Sequence, residues 1–381
     1  MAPLTTTRLS VRALTDASAI AQIGATWDAL VEGMPRPSPY LLSGWVRAWL
    51  EESSFASQPY VVLAERGNDL VGIAPFAIQR HGRTSIAMFA GAHESALGDV
   101  LLAPGEPPET ARALLGALPA SGADALDVFG LPASSALAEA AGSRMRVIER
   151  VEAPVTEMPE GWDEAYVRHT SSNRRNQDRR RERQLGELGN LETSLATDAE
   201  TVRKDLPAAF ELHRMRWQGR PDGSTFGLPA GQRFQQAALP QLADEGRFAM
   251  LTLRLDGRPV AFHSWFVIGS SIYLHRNAFD GDLSRYAPGL VALRRSLAAA
   301  SERGARRVEY LGGAEQFKRD LADRFEPLYQ GIGLARGPAG HAYVARTQFV
   351  IALRRRLKRS ERLHRLYRSG AFRARRRVES S

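Results

Sequence analysis

One local pattern occurs twice along the chain, and that repetition restricts the fold more than any single motif. In the first half an apolar run, Tyr60 to Ala64, meets the turn Gly67-Asn68-Asp69 and a second strand-like run, Leu70 to Ile78. In the second half Phe248 to Leu255, the turn Asp256 to Pro259 and Val260 to Val267 share that design. Turn residues between two such runs predict a β-hairpin. A helical stretch follows each hairpin, Glu109 to Leu118 or Gly289 to Arg303, and then a strand ending in glycine, Ala123 to Gly130 or Ala305 to Gly312. The hairpins begin 188 residues apart and the closing strands 182 apart. Two matched elements in one order, at nearly one offset, argue for a tandem duplication of a mixed α/β unit.

The remaining segments fit around these units. Arg8 to Arg12 alternates like a strand, and Asp16 is placed to cap a helix with Ile20, Ile23, Trp27 and Leu30 on one face. Residues 198 to 217 and 229 to 243 read as amphipathic helices. Between the halves, Thr170 to Arg183 holds six arginines against two acids, and Ser171 or Ser172 can cap a helix there. Gly337-Pro-Ala-Gly340 is expected to close the second unit. A long helical pattern follows, with Phe349, Leu353, Leu357, Leu363 and Leu366 near one side. The expected division is residues 1–155, 156–345 and a basic helical tail over 346–381.

Composition supports two cores: 381 residues with 44% hydrophobic content suit two domains of ordinary size. The net charge of +9 is unevenly spread. Residues 354–381 contain 12 basic and 2 acidic side chains, leaving 39 basic against 40 acidic in the rest. The globular part is therefore almost neutral, and the basicity belongs to the tail. Zero cysteines exclude a disulfide framework, a thiol nucleophile and a thiolate metal site. No His, Asp and Glu spacing points to a metal. The opening Met1 to Arg8 has no apolar region behind it, and no run approaches the roughly 18 apolar residues of a membrane span. The expectation is a soluble cytoplasmic protein.

Chemistry is expected where strand Ser271 to Ala278 feeds Leu283-Ser-Arg-Tyr-Ala-Pro-Gly289 and a helix begins. Such a junction points backbone N–H groups and the positive helix end at a ligand, which suits phosphate. Gly289 permits close approach, and Pro288 suits a first helical turn. His263 and His275, on neighbouring predicted strands, have ordinary pKa values near neutrality and are candidate bases; a hydrogen-bonded core role is the alternative for His263. Gly312-Gly313 after a strand places Glu315 and Lys318 at the sheet's carboxyl edge, where α/β sheets bind ligands. Lys318 there can neutralise developing negative charge, or start a solvated surface helix.

The order hairpin, strand, Arg285-Tyr-Ala-Pro-Gly-Leu290, long helix, Val308-Glu-Tyr-Leu-Gly-Gly313 and Glu315-Gln-Phe-Lys318 resembles the GNAT N-acyltransferase superfamily. More narrowly it resembles the tandem branch of CelD-like polysaccharide-biosynthesis proteins and Fem-type aminoacyl transferases. The likeness runs from about Trp162 to Gln330 and includes Ser171-Ser-Asn-Arg-Arg-Asn176; the first half fits only as a fold. It implies two GNAT-like lobes with mixed sheets joined by an arginine-rich helix, the first lobe degenerate and the second holding the donor site. It implies direct transfer from acyl-CoA to an amine or hydroxyl of a cell-envelope, polysaccharide or small-molecule acceptor, without a metal. Arg285, Ala287, Gly289 and Leu290 would then hold the donor's pyrophosphate, although one glycine stands where the family's Arg/Gln-x-x-Gly-x-Gly/Ala pattern has two. Tyr286 would protonate the leaving thiolate, with packing at the helix entry as its alternative, and Arg174, Arg175 and Glu315 would meet the acceptor. An aminoacyl-tRNA donor in the Fem-type sense, and a non-catalytic membrane-associated binding module, are the competing readings. Residues 354–377 suit an anionic membrane surface, RNA or water alone, and the first of these would place the protein peripherally on the inner membrane face.

Overall fold

The computed structural model describes residues 8–52, 57–92, 94–217, 225–313 and 315–359. The first half supplies strands β1 (Leu9–Leu14), β2 (Ser57–Arg66), β3 (Asp69–His81), β4 (Thr84–Phe89), β5 (Leu101–Leu102), β6 (Ala125–Pro132) and β7 (Met145–Val151). Its helices are α1 (Gly24–Glu32), α2 (Ser43–Glu52), α3 (Pro108–Gly116) and α4 (Ala136–Ala141). The strands β8 (Pro154–Glu157), β9 (Leu191–Ala196), β10 (Phe248–Leu255), β11 (Arg258–Ile268), β12 (Ser271–Phe279), β13 (Arg307–Glu309), β14 (Arg324–Phe325) and β15 (Leu328–Gly333) follow. They alternate with α5 (Trp162–His169), α6 (Ser172–Gly186), α7 (Ala199–Trp217), α8 (Pro229–Asp244), α9 (Pro288–Glu302), α10 (Gln316–Asp320) and α11 (Gly337–Arg359).

Both hairpins form as their turn residues predict, β2 with β3 and β10 with β11. Each lobe has one parallel pair, β4 with β6 and β12 with β13, bridged by the helix expected between them. The sheet orders are β1-β2-β3-β4-β6-β15-β7, with β5 on β3, and β14-β8-β13-β12-β11-β10-β9. These orders expose an exchange that spacing did not predict. β15, late in the chain, lies between β6 and β7 of the first sheet; β8, which follows β7, lies between β13 and β14 of the second. Each lobe thus lends the other one antiparallel strand. The expected boundary between 155 and 156 falls inside β8, and residues 328–333 belong to the first lobe's sheet.

The largest apolar core is shared as well. Trp27, Trp45 and Trp49 of the first half pack with Phe210, Phe226, Phe234, Phe262 and Phe266 of the second. A buried ion network reinforces the seam. Glu309 on β13 is fully buried, and its carboxylate meets Arg36 at 2.8 Å and Arg307 at 2.5 Å. Arg307 also reaches Glu326 at 2.9 Å and Glu157 of β8 at 3.2 Å.

Two expectations change. The arginine-rich helix α6, capped as expected by the Ser171 hydroxyl on Arg174 N at 3.2 Å, does not bridge the lobes. It docks on α9, where Glu182 pairs with Arg294 at 3.3 Å and Arg295 at 2.8 Å, because buried Leu185 needs an apolar partner. Gly337 to Gly340 does not break the chain but forms the first turn of α11. There Gly340 is required sterically, since a Cβ would stand 2.0 Å from the Asp124 carbonyl oxygen. Phe349 and Leu353 of α11 are 67% and 42% exposed, so these two face outward. Leu363 and Leu366 lie outside the described residues, as does most of the basic tail. Among the described residues no helix is long and apolar enough to cross a membrane.

The exchange predicts that the lobes fold only together. Fragments 1–152 and 153–381, expressed separately, are each expected to lack a cooperative calorimetric transition, and mixing them during refolding should restore one. A cooperative transition in isolated 1–152 would show that the first sheet does not need β15.

Candidate functional site

The second lobe carries the strand, turn and helix junction. Eight residues, 280–287, connect β12 to α9, most of them in a 3-10 turn, Gly281–Tyr286. The corresponding route from β4 to α3 takes eighteen residues and includes β5, so the tight turn exists only in the second lobe. Ala287 caps α9 in the left-handed region, φ 54° and ψ 48°, a strained conformation for a residue with a Cβ. Its own N–H bonds to Ser284 O at 3.0 Å, and Leu290 N–H bonds back to Ala287 O at 2.9 Å. Pro288 has no N–H, which leaves Gly289 as the first amide of α9 with no backbone acceptor among the described residues. The expected cradle is thus narrower than a full set of open amides. Gly289 packs on the Phe279 ring so closely that a Cβ would approach Cδ1 to 2.7 Å. Arg285 is exposed and stacks 4.5 Å from the Tyr286 ring centroid, also hydrogen-bonding its hydroxyl.

Beside the head of α9 lies a cavity of about 270 Å³ formed by α5, α6, α9 and α10. Leu290, Leu293 and Phe317 supply its apolar wall, and Arg174, Arg294 and Tyr166 its polar one. The structure therefore brings together Arg174 and Leu290, 116 positions apart. Asp178, buried among six arginines of the sequence, organises this wall: it accepts from Tyr166 Oη at 2.7 Å and from Arg174 Nε at 3.2 Å. Burial, and then the bond to Asp178, push the Tyr166 phenol up to about 12, so it stays protonated and donates. Arg294 lies 5.0 Å from the Tyr166 ring centroid, and its Nε is buried without a partner. Arg175 turns away to the carbonyls of Val167 and Thr170 at the end of α5. Sequence reasoning missed Tyr166, Asp178 and Arg294; the one available signal was an acid inside an arginine run.

The candidate bases part company. Antiparallel pairing sets His263 opposite Asn277, and a register shift before Trp265 marks a bulge at His275 and Arg276. His263 sits on the α9 side, its ring centroid 6.2 Å from that of Trp265. Burial, joined by the nearby Lys318 ammonium, holds its imidazole down at about 3. Lys318 is buried, pairs with Glu315 at 3.0 Å and donates to Gly312 O at 3.4 Å, clamping the turn that Leu311 enters at φ 58°. The turn leaves β13 only three residues long, so β12 continues past its parallel partner from Leu274 onward.

His275 faces the other side, toward the seam between lobes. Its ring lies 4.7 Å from Phe266, 5.6 Å from Trp45 and 6.3 Å from Tyr40, centroid to centroid. Burial and then the Arg276 guanidinium hold it well below its ordinary value. Nε2 lies 3.2 Å from Gln235 Oε1, an acceptor, so the ring proton belongs on Nε2 and Nδ1 keeps its lone pair. Among the described residues that Nδ1 has no partner; neither have Trp45 Nε1, Ser95 Oγ and His213 Nδ1 in the same region. Arg276 crosses the seam to Glu94 at 2.8 Å. Among the described residues no group of three or more His, Cys, Asp or Glu is placed to hold a metal ion.

A histidine whose pKa falls on folding binds fewer protons in the native state. Its stabilising effect is complete above about pH 6.5 and is lost as pH drops toward 3. Replacing His263 with Leu should therefore shrink the stability lost between pH 7 and pH 5 by about 2 kcal/mol, read by urea denaturation at both values. An unchanged loss would place the folded His263 pKa near its ordinary value.

Residues 172–319, from the start of α6 into α10, match the profile of the acetyltransferase (GNAT) domain. No curated protein sequence matches the chain. Among solved structures, FemX superposes with a TM-score of 0.57 at 10% identity, covering 84% of this chain and 96% of its own. The C-terminal domain of a putative lysylphosphatidylglycerol synthetase from Agrobacterium fabrum gives 0.54 at 13% identity, over 86% and 96%. L-PGS from Bacillus licheniformis gives 0.51 at 14%, over 80% and 96%. At these identities the likeness concerns the fold, and it extends over both lobes. The second lobe thus carries a segment, residues 172–319, that matches the acetyltransferase (GNAT) domain, within a two-lobe fold shared with FemX.

Proposed function

We propose that the chain transfers an acyl group from acyl-CoA directly to an amine or hydroxyl of a cell-envelope, polysaccharide or related small-molecule acceptor. The observation that carries this reading is the head of α9: a strained Ala287 cap and the Gly289 amide without a backbone acceptor, with a 270 Å³ cavity beside the first two turns of the helix. The helix end and Arg174 supply positive potential for the donor's phosphates. Lys318 acts by holding the Gly312-Gly313 turn open after β13, with Glu315 as its partner. On the opposite face, Nδ1 of His275 is the proton acceptor: burial keeps the ring neutral at pH 7, and Gln235 fixes the tautomer. The acceptor's nitrogen or oxygen attacks the thioester carbonyl and gives its proton to Nδ1. The C–S bond then breaks, and the thiolate takes a proton from the Tyr286 hydroxyl. An acceptor reaches Nδ1 only through the aromatic shell of Tyr40, Trp45 and Phe226, so turnover requires the seam to open there.

Acyl-CoA at one hundred times its Kd should stabilise the protein by about 2.7 kcal/mol, visible as a rise in Tm. Gly289→Val should abolish the rise, and His275→Gln should retain it while lowering kcat roughly 10²- to 10⁴-fold. No rise with any acyl-CoA at millimolar concentration would sink the donor assignment.

The fold shared with FemX and with a lysylphosphatidylglycerol synthetase domain favours a second reading, in which the donor is an aminoacyl-tRNA and the acceptor is lipid-linked. Exposed Arg179, Arg180 and Arg183 on α6 are the surface that would meet RNA. Under this reading tRNA affinity falls steeply with salt, and replacing these three arginines flattens the slope by about three phosphate contacts. Filter-binding titrations from 50 to 300 mM salt decide it, and a salt-independent affinity rules it out. The outward-facing Phe349 and Leu353 of α11, with Arg354 to Arg356 beside them, support peripheral contact with an anionic membrane.

A further inference from the structure

The first lobe holds a cavity of about 900 Å³ at the end of its sheet where β6 begins and β15 finishes. That volume lies within the roughly 300–1,000 Å³ range of small-molecule sites. Its body is aliphatic, built by Leu115 and Leu118 around α3, Ala125 of β6, Ile332 of β15 and Val344 of α11. Its charged lining is of one sign. Arg144, Arg146 and Arg336 line it, and no Asp or Glu does. None of these three is in a salt bridge among the described residues. Arg144 and Arg336 are anchored through carbonyl oxygens of Ala140, Ala141 and Pro119, which orients them without neutralising them. Arg146 is exposed on the edge strand.

Helix α11 makes one wall. It is fixed by the close approach of Gly340 to Asp124 and by Tyr343, whose hydroxyl donates to Asp127 at 2.9 Å. Val344, Ala345 and Gln348 line the cavity, while Phe349 and Leu353 on the same helix are exposed. The cavity is thus bounded by a helix that also presents apolar side chains outward.

We infer that this cavity binds an anionic amphiphile, a single acyl chain ending in a phosphate or carboxylate. The chain occupies the aliphatic body and the headgroup meets Arg146 and Arg336. The aliphatic body favours an alkyl chain over a sugar or a free nucleotide, whose hydroxyls and ring nitrogens would find few partners against Leu115, Leu118, Ile332 and Val344. Unpaired arginines suit a phosphate or carboxylate, which they can grip in bidentate fashion. The site is separate from the α9 junction and does not depend on the acyl-transfer reading.

Calorimetric titration of the full-length chain with octyl, decyl and dodecyl phosphate, each below its micelle concentration, tests this. Affinity should rise roughly tenfold for each two methylenes, since each contributes about 0.8 kcal/mol on burial. Arg146→Glu should weaken all three at least fivefold and keep the chain-length slope. Ala345→Trp, which fills the cavity from an exposed position, should flatten the slope with Tm unchanged. Dodecanol and inorganic phosphate, tested alone, should each bind at least tenfold more weakly than dodecyl phosphate. Vesicles containing a phosphatidic acid provide the second arm: capture lost with Ala345→Trp identifies bilayer lipid as a source. Vesicle capture equal in both proteins, without binding of monomeric alkyl phosphate, means surface adsorption by α11 and overturns the site. So does an affinity that ignores chain length.

Discussion

Reciprocal exchange of one strand between lobes is the constraint on which the rest of this structure depends. β8 fills the gap between β13 and β14, and β15 fills the matching gap between β6 and β7. A strand between two others forms hydrogen bonds along both edges, so neither sheet can close its far side from its own half of the chain. The exchange also forces the lobes together. It creates the seam where Glu309 is buried between Arg36 and Arg307, and where the tryptophans of α2 meet the phenylalanines of the second half. Burying a carboxylate is costly unless partners surround it, so the seam tolerates few alternative arrangements.

The seam in turn gives the second lobe's sheet two different chemical faces. The α9 side carries the turn at Ala287, the cavity near Arg174 and the Lys318 clamp. On the seam side lie His275, Gln235, His213 and Arg276. A bulge in β12 lies at the division, and bulges re-aim side chains locally at the expense of ladder hydrogen bonds. Ser264 partly compensates, since its hydroxyl bonds to both the N–H and the carbonyl of Arg276.

Local periodicity and turn chemistry were enough to foresee the hairpins, the helices read over residues 198–217 and 229–243, the α9 junction and a serine cap at 171 or 172, because each depends on neighbours in sequence. Strand exchange was not legible: β8 and β15 are short, and nothing in Pro154 to Glu157 says which sheet receives it. The same limit separated the histidines. Alternation places His263 with Ala261 and Trp265, but only the bulge reveals that His275 faces the opposite side. Likewise, Gly337 to Gly340 read as the close of the second unit, whereas they open α11 and tertiary contact with Asp124 makes Gly340 a packing residue. Asp178 shows the reverse case. Its oddity among arginines was visible, and burial beside Tyr166 explains it.

The duplication also explains why the two lobes hold different cavities. In the second, eight residues join β12 to α9 and leave the helix head beside open space. In the first, the eighteen-residue route passes through β5 and folds Leu97 and Val100 over the corresponding end of the sheet. Gly130 allows that cover, for a Cβ there would stand 2.6 Å from Ala96 O. With one end sealed, the first lobe's usable space lies at the other end, where β15 arrives from the second half and leads directly into α11. The borrowed strand that completes the sheet therefore also delivers the helix that walls its cavity. One topological event thus supplies both the closed seam around His275 and an aliphatic, arginine-lined chamber beside α11.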